Sequence, residues 1–228
     1  MNAMTCPCCG STQTQERPVL WRALIDEWRL ASHEVAYIDR QQGLHSTACG
    51  SNLRSMALAR AVLACFAYPG PFAEFVRSEA ASHARVLEVN EAGALTQFFR
   101  AVPGHVLVRY PEADMTALPF EDAAFDIVVH SDTLEHVPRP IRGLSECCRV
   151  LRPRGFCAFT VPAIVDRLTA SREGLPPSYH GSPENPEDCL VHTEYGADAW
   201  KHVVLAGFSE CRIIPLEYPA ALALVGVR

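Results

Sequence analysis

The chain has 228 residues, 49% of them hydrophobic and 20% charged, with a formal net charge of -6. That length accommodates one full α/β domain with a small appendage and excludes two large domains. The acidic balance argues against a nucleic-acid partner, because a phosphate-coated ligand calls for a basic surface.

In chain order, the start "MNAMTCPCCG" has no charged leader before an apolar run, and no apolar segment reaches the roughly 20 residues of a bilayer crossing. A cytoplasmic protein with no membrane attachment is expected. The cysteines cluster near the N terminus or stand singly in apolar runs, as Cys65 and Cys157 do, which suits a reducing compartment. Residues 1–50 differ in texture from the rest and read as an appendage. Within them Leu20, Leu24, Trp28 and Ala31 recur at helical spacing and predict a short amphipathic helix that needs a partner, so a protein partner docked there is one expectation.

Residues 51–228 read as the α/β domain. "SNLRSMALARAVLACFAY" offers a Ser or Asn cap, apolar residues three and four apart, and a Pro69-Gly70-Pro71 stop, which together predict a helix. "PFAEFVRSEA" continues as a second helical piece. After His83 the pattern becomes strand, helix, strand: "ARVLEV", "ALTQFFRAV", "GHVLVRY". Then follow "FDIVVHSD", the helical "IRGLSECCRVL", a breaker and "FCAFTVPA". Apolar strands without polar alternation, separated by helices, predict a parallel sheet covered on both faces. Near the end "ADAWKHVVLAG" reads as a helix, and "ECRIIPLEYP" with "ALALVGVR" as an antiparallel pair. Residues 165–196 are long, proline-rich and polar, and lie just past a strand's carboxyl end, the rim where ligands sit in open α/β sheets. A lid or acceptor-binding insertion is expected there.

Three segments carry a resemblance: "VLEVNEAG", "DMTALPFEDAAFDIVVHSDTLEHV" and "RVLRPRGFCAFTVP". Their order resembles the class I S-adenosylmethionine-dependent methyltransferases from about residue 82 to the end. The resemblance implies a Rossmann-like, seven-stranded, mostly parallel sheet closed by an antiparallel hairpin, with S-adenosylmethionine as cofactor across the carboxyl ends of the first strands. It implies that Asp114 faces the adenine amine with the Met115 N–H beside it, and that backbone at Ser131 lines the cofactor's methionine portion. Glu88 matches the family's acidic residue near the cofactor's amino group. At the second strand the expected ribose acid is replaced by Tyr110, with Glu112 two residues later.

The family's glycine-rich turn is altered. Asn90, Ala92 and Ala94 stand at its glycine positions, with Gly93 between; Asn tolerates the left-handed region and alanine adds one methyl, so the turn is expected to survive with a shifted pocket. His136, at a helix start beside Glu135, is a candidate general base, since imidazole titrates near neutrality. Tyr179, His180 and His192 on the insertion are candidate acceptor contacts or bases.

Cys6-Pro-Cys8-Cys9-Gly and "HSTACGSN" resemble the two knuckles of a zinc ribbon, as found ahead of the methyltransferase domain in some family members. Each knuckle normally supplies Cys-x-x-Cys and a glycine, because two thiolates on one tight turn take two tetrahedral positions. Cys6 and Cys9 fit. Ser46 stands in place of the fourth thiol, leaving Cys49 and His45, so a Cys6, Cys9, His45, Cys49 zinc site and a metal-free ribbon both account for these residues.

Two functions follow. One is methyl transfer to a small or medium-sized acceptor held under the insertion; the other is a non-catalytic binding or scaffold protein that has kept the fold with a degenerate cofactor site. A nicotinamide-dependent oxidoreductase is excluded by the missing Gly-x-Gly-x-x-Gly fingerprint.

Overall fold

The computed structural model describes residues 4–179 and 190–228. In the N-terminal segment, two-residue strands β1 (Thr14–Gln15) and β2 (His45–Ser46) pair antiparallel, and helices α1 (Arg22–Glu27) and α2 (Ser32–Gly43) lie between them. The amphipathic helix predicted through Leu20 to Ala31 is shortened to α1, none of whose residues is buried. Its pattern is interrupted at Arg29, which takes a positive φ of 48°. Trp28 leaves the helix and donates its indole N–H to the Ser178 hydroxyl at 2.9 Å. Cys6, Cys8, Tyr37 and Leu44 are buried in the same apolar cluster as the central helix and one face of the sheet.

That central helix, α3 (Leu53–Cys65), begins where the Asn52 side chain accepts the Ser55 N–H at 2.9 Å, and 10 of its 13 residues are buried. The side-chain oxygen satisfies one of the orphan donors of the first turn. Short helices α4 (Phe72–Phe75) and α5 (Glu79–Ser82) follow the predicted proline stop. Then come β3 (Arg85–Val89), α6 (Thr96–Phe99), β4 (Gly104–Val108), β5 (Phe125–Ser131), α7 (Pro140–Val150) and β6 (Leu151–Thr160). The insertion contributes β7 (Ala163–Ile164), β8 (Ala170–Ser171) and β9 (Thr193–Gly196), and the chain ends with α8 (Trp200–Leu205), β10 (Glu210–Leu216) and β11 (Ala221–Val227).

The main sheet has the order β10-β11-β6-β5-β3-β4. β4, β3, β5 and β6 are parallel, while β11 and β10 close the sheet as an antiparallel hairpin. Alternate side chains of the same strands feed opposite faces: Val86, Ile127 and Val129 pack toward α3, whereas Leu87, Val89 and Val128 pack toward α7. This is the Rossmann-like class I methyltransferase arrangement with six strands instead of the expected seven. Only six residues, 109–114, separate β4 from the 3-10 turn Met115–Ala117, too few for a further helix and strand.

The described part of the insertion is tied down. Arg167 grips buried Glu34 with two bonds of 2.8 and 2.6 Å and also donates to the Trp28 and Arg29 carbonyls. Asp198 accepts the Thr169 N–H at 2.6 Å; with Lys201 also beside it, its carboxyl is held well below the ordinary range. β8 and β9 are joined further by the Arg172 and Glu194 ion pair.

Candidate functional site

The bend after β3 is built by side chains that compensate for missing glycines. Asn90 takes φ +55° and Gly93 φ +57°, so the residue that best tolerates the left-handed region stands where it is needed. The Asn90 carbonyl oxygen of the side chain accepts the Tyr110 N–H at 3.0 Å, and the Asn90 N–H donates to Val108 at 2.7 Å. Those bonds join the first two rim loops, and Arg109 with Glu91 adds an exposed ion pair at 2.6 Å. Gly93 is needed for another reason: a Cβ there would lie 2.8 Å from the Ser55 hydroxyl, which accepts the Ala94 N–H at 3.2 Å.

Glu88, matched by the resemblance to the acidic residue near the cofactor's amino group, is fully buried, and its carboxylate accepts from the Ala92 N–H at 2.7 Å, the Thr96 hydroxyl at 2.5 Å and His105 Nε2 at 2.6 Å. It holds the turn's shape from beneath. Three donors occupy most of a carboxylate's accepting capacity, and none of its surface is open to the rim.

Beside this bend sits a buried polar group that the sequence reading did not single out. Arg54, in the first turn of α3, is 2% exposed, forms an ion pair with Asp132 and donates to Gln41 at 2.9 Å. Desolvation pulls its pKa down to about 10. Glu135 is fully buried, and burial raises its pKa, opposed by His136 and Arg54. Among the described residues, Arg54 Nε and both Glu135 carboxyl oxygens have no hydrogen-bond partner. Such groups cost roughly 1–3 kcal/mol each unless something meets them. The signal for Arg54 was present in "NLRSMALARAV", a charge set among residues that are otherwise apolar. Ser131, expected to line the site through its backbone, is buried; its hydroxyl bonds Thr160 at 2.8 Å and its carbonyl accepts from Thr133 at 3.1 Å.

At the other end, Asp114 is exposed and caps the Met115–Ala117 turn: one carboxylate oxygen accepts the Thr116 N–H at 2.7 Å and the Thr116 hydroxyl at 2.8 Å. The second oxygen makes no bond among the described residues and can accept from a ligand. Cap and ligand contact are therefore compatible. Met115 packs its side chain into the core, Tyr110 is 57% exposed and Glu112 is exposed.

His136 lies in the 3-10 turn Leu134–His136, its Nδ1 3.0 Å from the Leu190 carbonyl, and the His192 N–H donates to the Glu135 backbone carbonyl at 2.8 Å. The insertion is thus stitched to the turn that carries His136 and the buried Glu135 carboxyl. Tyr179 pairs with Leu190 across an isolated bridge and is half exposed. His180 lies outside the described residues. A cleft of about 380 Å³ opens here, lined by Pro138, Arg172, Leu175, Pro176, Leu190 and His192 among others. Burial, reinforced by His136, lowers the His192 pKa.

Residues 69–159, from just before α4 to the end of β6, match a family described as the methyltransferase domain. Over that stretch the chain is similar to methyltransferase domains. A demethylmenaquinone methyltransferase of Clavibacter sepedonicus is 39% identical over 89 residues, covering 37% of this chain and 36% of that protein. A protein of Mycolicibacterium smegmatis described as an S-adenosylmethionine-dependent methyltransferase is 38% identical over 76 residues, covering 31% of this chain and 28% of that one. The chain thus spans about a third of the length of the curated relatives it matches. A solved methyltransferase structure from Bacillus halodurans superposes with a TM-score of 0.39 at 21% identity, covering 63% of this chain and 69% of that one.

Outside the matched methyltransferase domain, the structure brings Cys6, Cys9 and Cys49 together, their sulfurs all within 4.8 Å of one another. It does not bring His45 into that group. The His45 ring turns to the Gly43 carbonyl, 2.9 Å from Nδ1, because the antiparallel pairing of β1 and β2 directs it away from Ser46. No helix among the described residues is long and apolar enough to cross a membrane.

Proposed function

We propose that the chain is an S-adenosylmethionine-dependent methyltransferase acting on a small or medium-sized acceptor. The observation that carries this reading is a rim with unmet polar capacity at both ends, Asp114 and Glu135 lying inside the matched residues and Arg54 just before them. At one end the second oxygen of exposed Asp114 makes no bond among the described residues; at the other, Arg54 Nε and the Glu135 carboxyl oxygens are buried without hydrogen-bond partners among them, Glu135 having a 3.7 Å contact to His136 Nε2. These residues fit the cofactor. Asp114 can accept from an adenine amine, and Arg54 with Glu135 offers a donor and an acceptor to an amino-acid end. Tyr110 and Glu112, exposed beside the first bend, are the residues available to a ribose.

When bound, the cofactor supplies an electrophilic methyl on a sulfonium, which an in-line displacement moves to the acceptor. The chain's own contribution is positioning and exclusion of water. The cleft between the insertion and the His136 turn receives the acceptor, with Leu175, Pro176 and Leu190 covering an apolar body and Arg172 and His192 meeting polar groups. Because Leu190 accepts from Nδ1, His136 carries its hydrogen there, and Nε2, 3.7 Å from the Glu135 carboxylate, is the nitrogen that takes a proton from an acceptor that must lose one, the carboxylate stabilising the imidazolium. The demethylmenaquinone class named for the Clavibacter relative is one acceptor to test.

Calorimetric titration with S-adenosylmethionine and its demethylated product tests the reading. Both bind the native chain, and Asp114→Ala weakens both by about 10-fold or more, the worth of one charge-assisted hydrogen bond. A folded chain that binds neither is a scaffold, and the proposal fails.

A further inference from the structure

The two cysteine knuckles have the same backbone. In the first, the Gly10 N–H donates to the Cys6 carbonyl at 2.8 Å and the Cys6 N–H to Ser11 at 2.8 Å; in the second, Gly50 donates to Ser46 at 2.8 Å and Ser46 to Ser51 at 2.9 Å. Gly10 and Gly50 both take the left-handed conformation, at φ +80° and +73°. Residues 6–11, Cys-Pro-Cys-Cys-Gly-Ser, and residues 46–51, Ser-Thr-Ala-Cys-Gly-Ser, are therefore superimposable turns. Ser46 occupies the position that Cys6 occupies in the other turn, and Cys49 corresponds to Cys9.

We propose that Cys6, Cys9 and Cys49 bind a single zinc-type divalent cation as thiolates, with the Ser46 hydroxyl at the fourth corner. Cys6 and Cys49 sulfurs are 3.9 Å apart and the Ser46 hydroxyl is 3.6 Å from the Cys9 sulfur. A tetrahedral zinc with sulfur at about 2.3 Å separates its sulfurs by about 3.8 Å, so the Cys6–Cys49 spacing already fits and the remaining sulfur pairs, within 4.8 Å, need at most about 1 Å of contraction. All three cysteines are free thiols. The surroundings suit a metal as well: Cys49 bonds the Ser51 hydroxyl at 3.3 Å, and the Ala48 N–H donates to Ser46 at 3.3 Å, which orients the hydroxyl. Three sulfur ligands select zinc over hard cations such as magnesium or calcium. The oxygen corner is the weak one, exchangeable with water, in a manner that four thiolates would not permit.

The test uses the full chain purified under reducing conditions and does not depend on methyl transfer. Elemental analysis gives one zinc per chain, displaced by a thiol-blocking mercurial, and cobalt substitution gives thiolate charge-transfer absorption. Ser46→Cys keeps the fold by circular dichroism, binds zinc more tightly and raises the absorption by about a third, from three sulfurs to four. His45→Ala retains the metal. Loss of the metal in His45→Ala assigns the fourth corner to the imidazole and overturns the Ser46 assignment. A chain that takes up neither zinc nor cobalt, or that holds Cys6 and Cys49 as a disulfide under these conditions, overturns the site.

Discussion

Acidification from pH 7 to pH 5 tests the reading of His130, which lies on β5 at the centre of the sheet. Its ring is fully buried and stacked on Phe159 at 4.7 Å between centroids, and neither nitrogen has a partner among the described residues. Burial pushes its pKa from 6.5 down to about 3. The folded chain therefore keeps the neutral ring, while the unfolded chain takes up a proton below the ordinary value. Stability is whole above that value and is lost as the pH falls toward the folded one. The two values give a loss of about 2 kcal/mol between pH 7 and pH 5, a sizeable share of the ~5–15 kcal/mol that holds a typical domain. His130→Leu keeps a similar volume and removes the titration. Urea unfolding of both chains across that range, taken as a difference, cancels the other titrating groups. The variant's advantage should grow by about 2 kcal/mol as the solution is acidified. A flat difference refutes the argument, because the ring would then be partnered or charged in the folded state.

Arg54→Met separates structural from binding roles. Its ion-pair partner Asp132 is 39% exposed at the side chain and can be hydrated, but buried Gln41 loses its donor, so stability should fall by about 1–3 kcal/mol by chemical unfolding, while S-adenosylmethionine affinity of the folded variant falls by about 10-fold. Full affinity in the folded variant would make Arg54 a fold residue only. Arg167→Met leaves the Glu34 carboxylate, 6% exposed at the side chain, without its cation and should cost about 3–5 kcal/mol in urea unfolding. Arg167 holds that carboxyl below its ordinary range, so the native contribution is present above the unfolded value and fades as the pH falls through the folded one; the variant should lose that dependence.

The sheet was legible because its strands are short apolar runs, and the final hairpin because it is bounded by turn residues. Asp114 and the Asn90 turn were singled out through the family resemblance, and the structure places the one as a turn cap and the other at a left-handed bend. The missing strand was hidden in "LVRYPEADMTALPF", where a deletion leaves no mark in composition. The contact of Glu88 with His105 was not legible because the histidine lies 17 positions away on the next strand, and only parallel pairing brings the two together. Arg54 was overlooked because an arginine in an alanine-rich helix reads equally well as a solvated face; burial on every side was decided by α2, the sheet and the rim loops. For His45, local spacing to Cys49 suggested a ligand, but strand direction sets which way a ring points.

The first turn of α3 joins three attachments within four residues: Asn52 as cap, Arg54 against Asp132, and Ser55 beneath Ala94. Three residues before that cap stands Cys49, itself held by Gln97 through its carbonyl at 3.0 Å. One residue added or removed between them would turn the helix by about 100° and slide it by about 1.5 Å. The guanidinium would then swing off the rim while the knuckle stayed behind. The interval from Cys49 to Arg54 therefore behaves as a fixed gauge in this molecule.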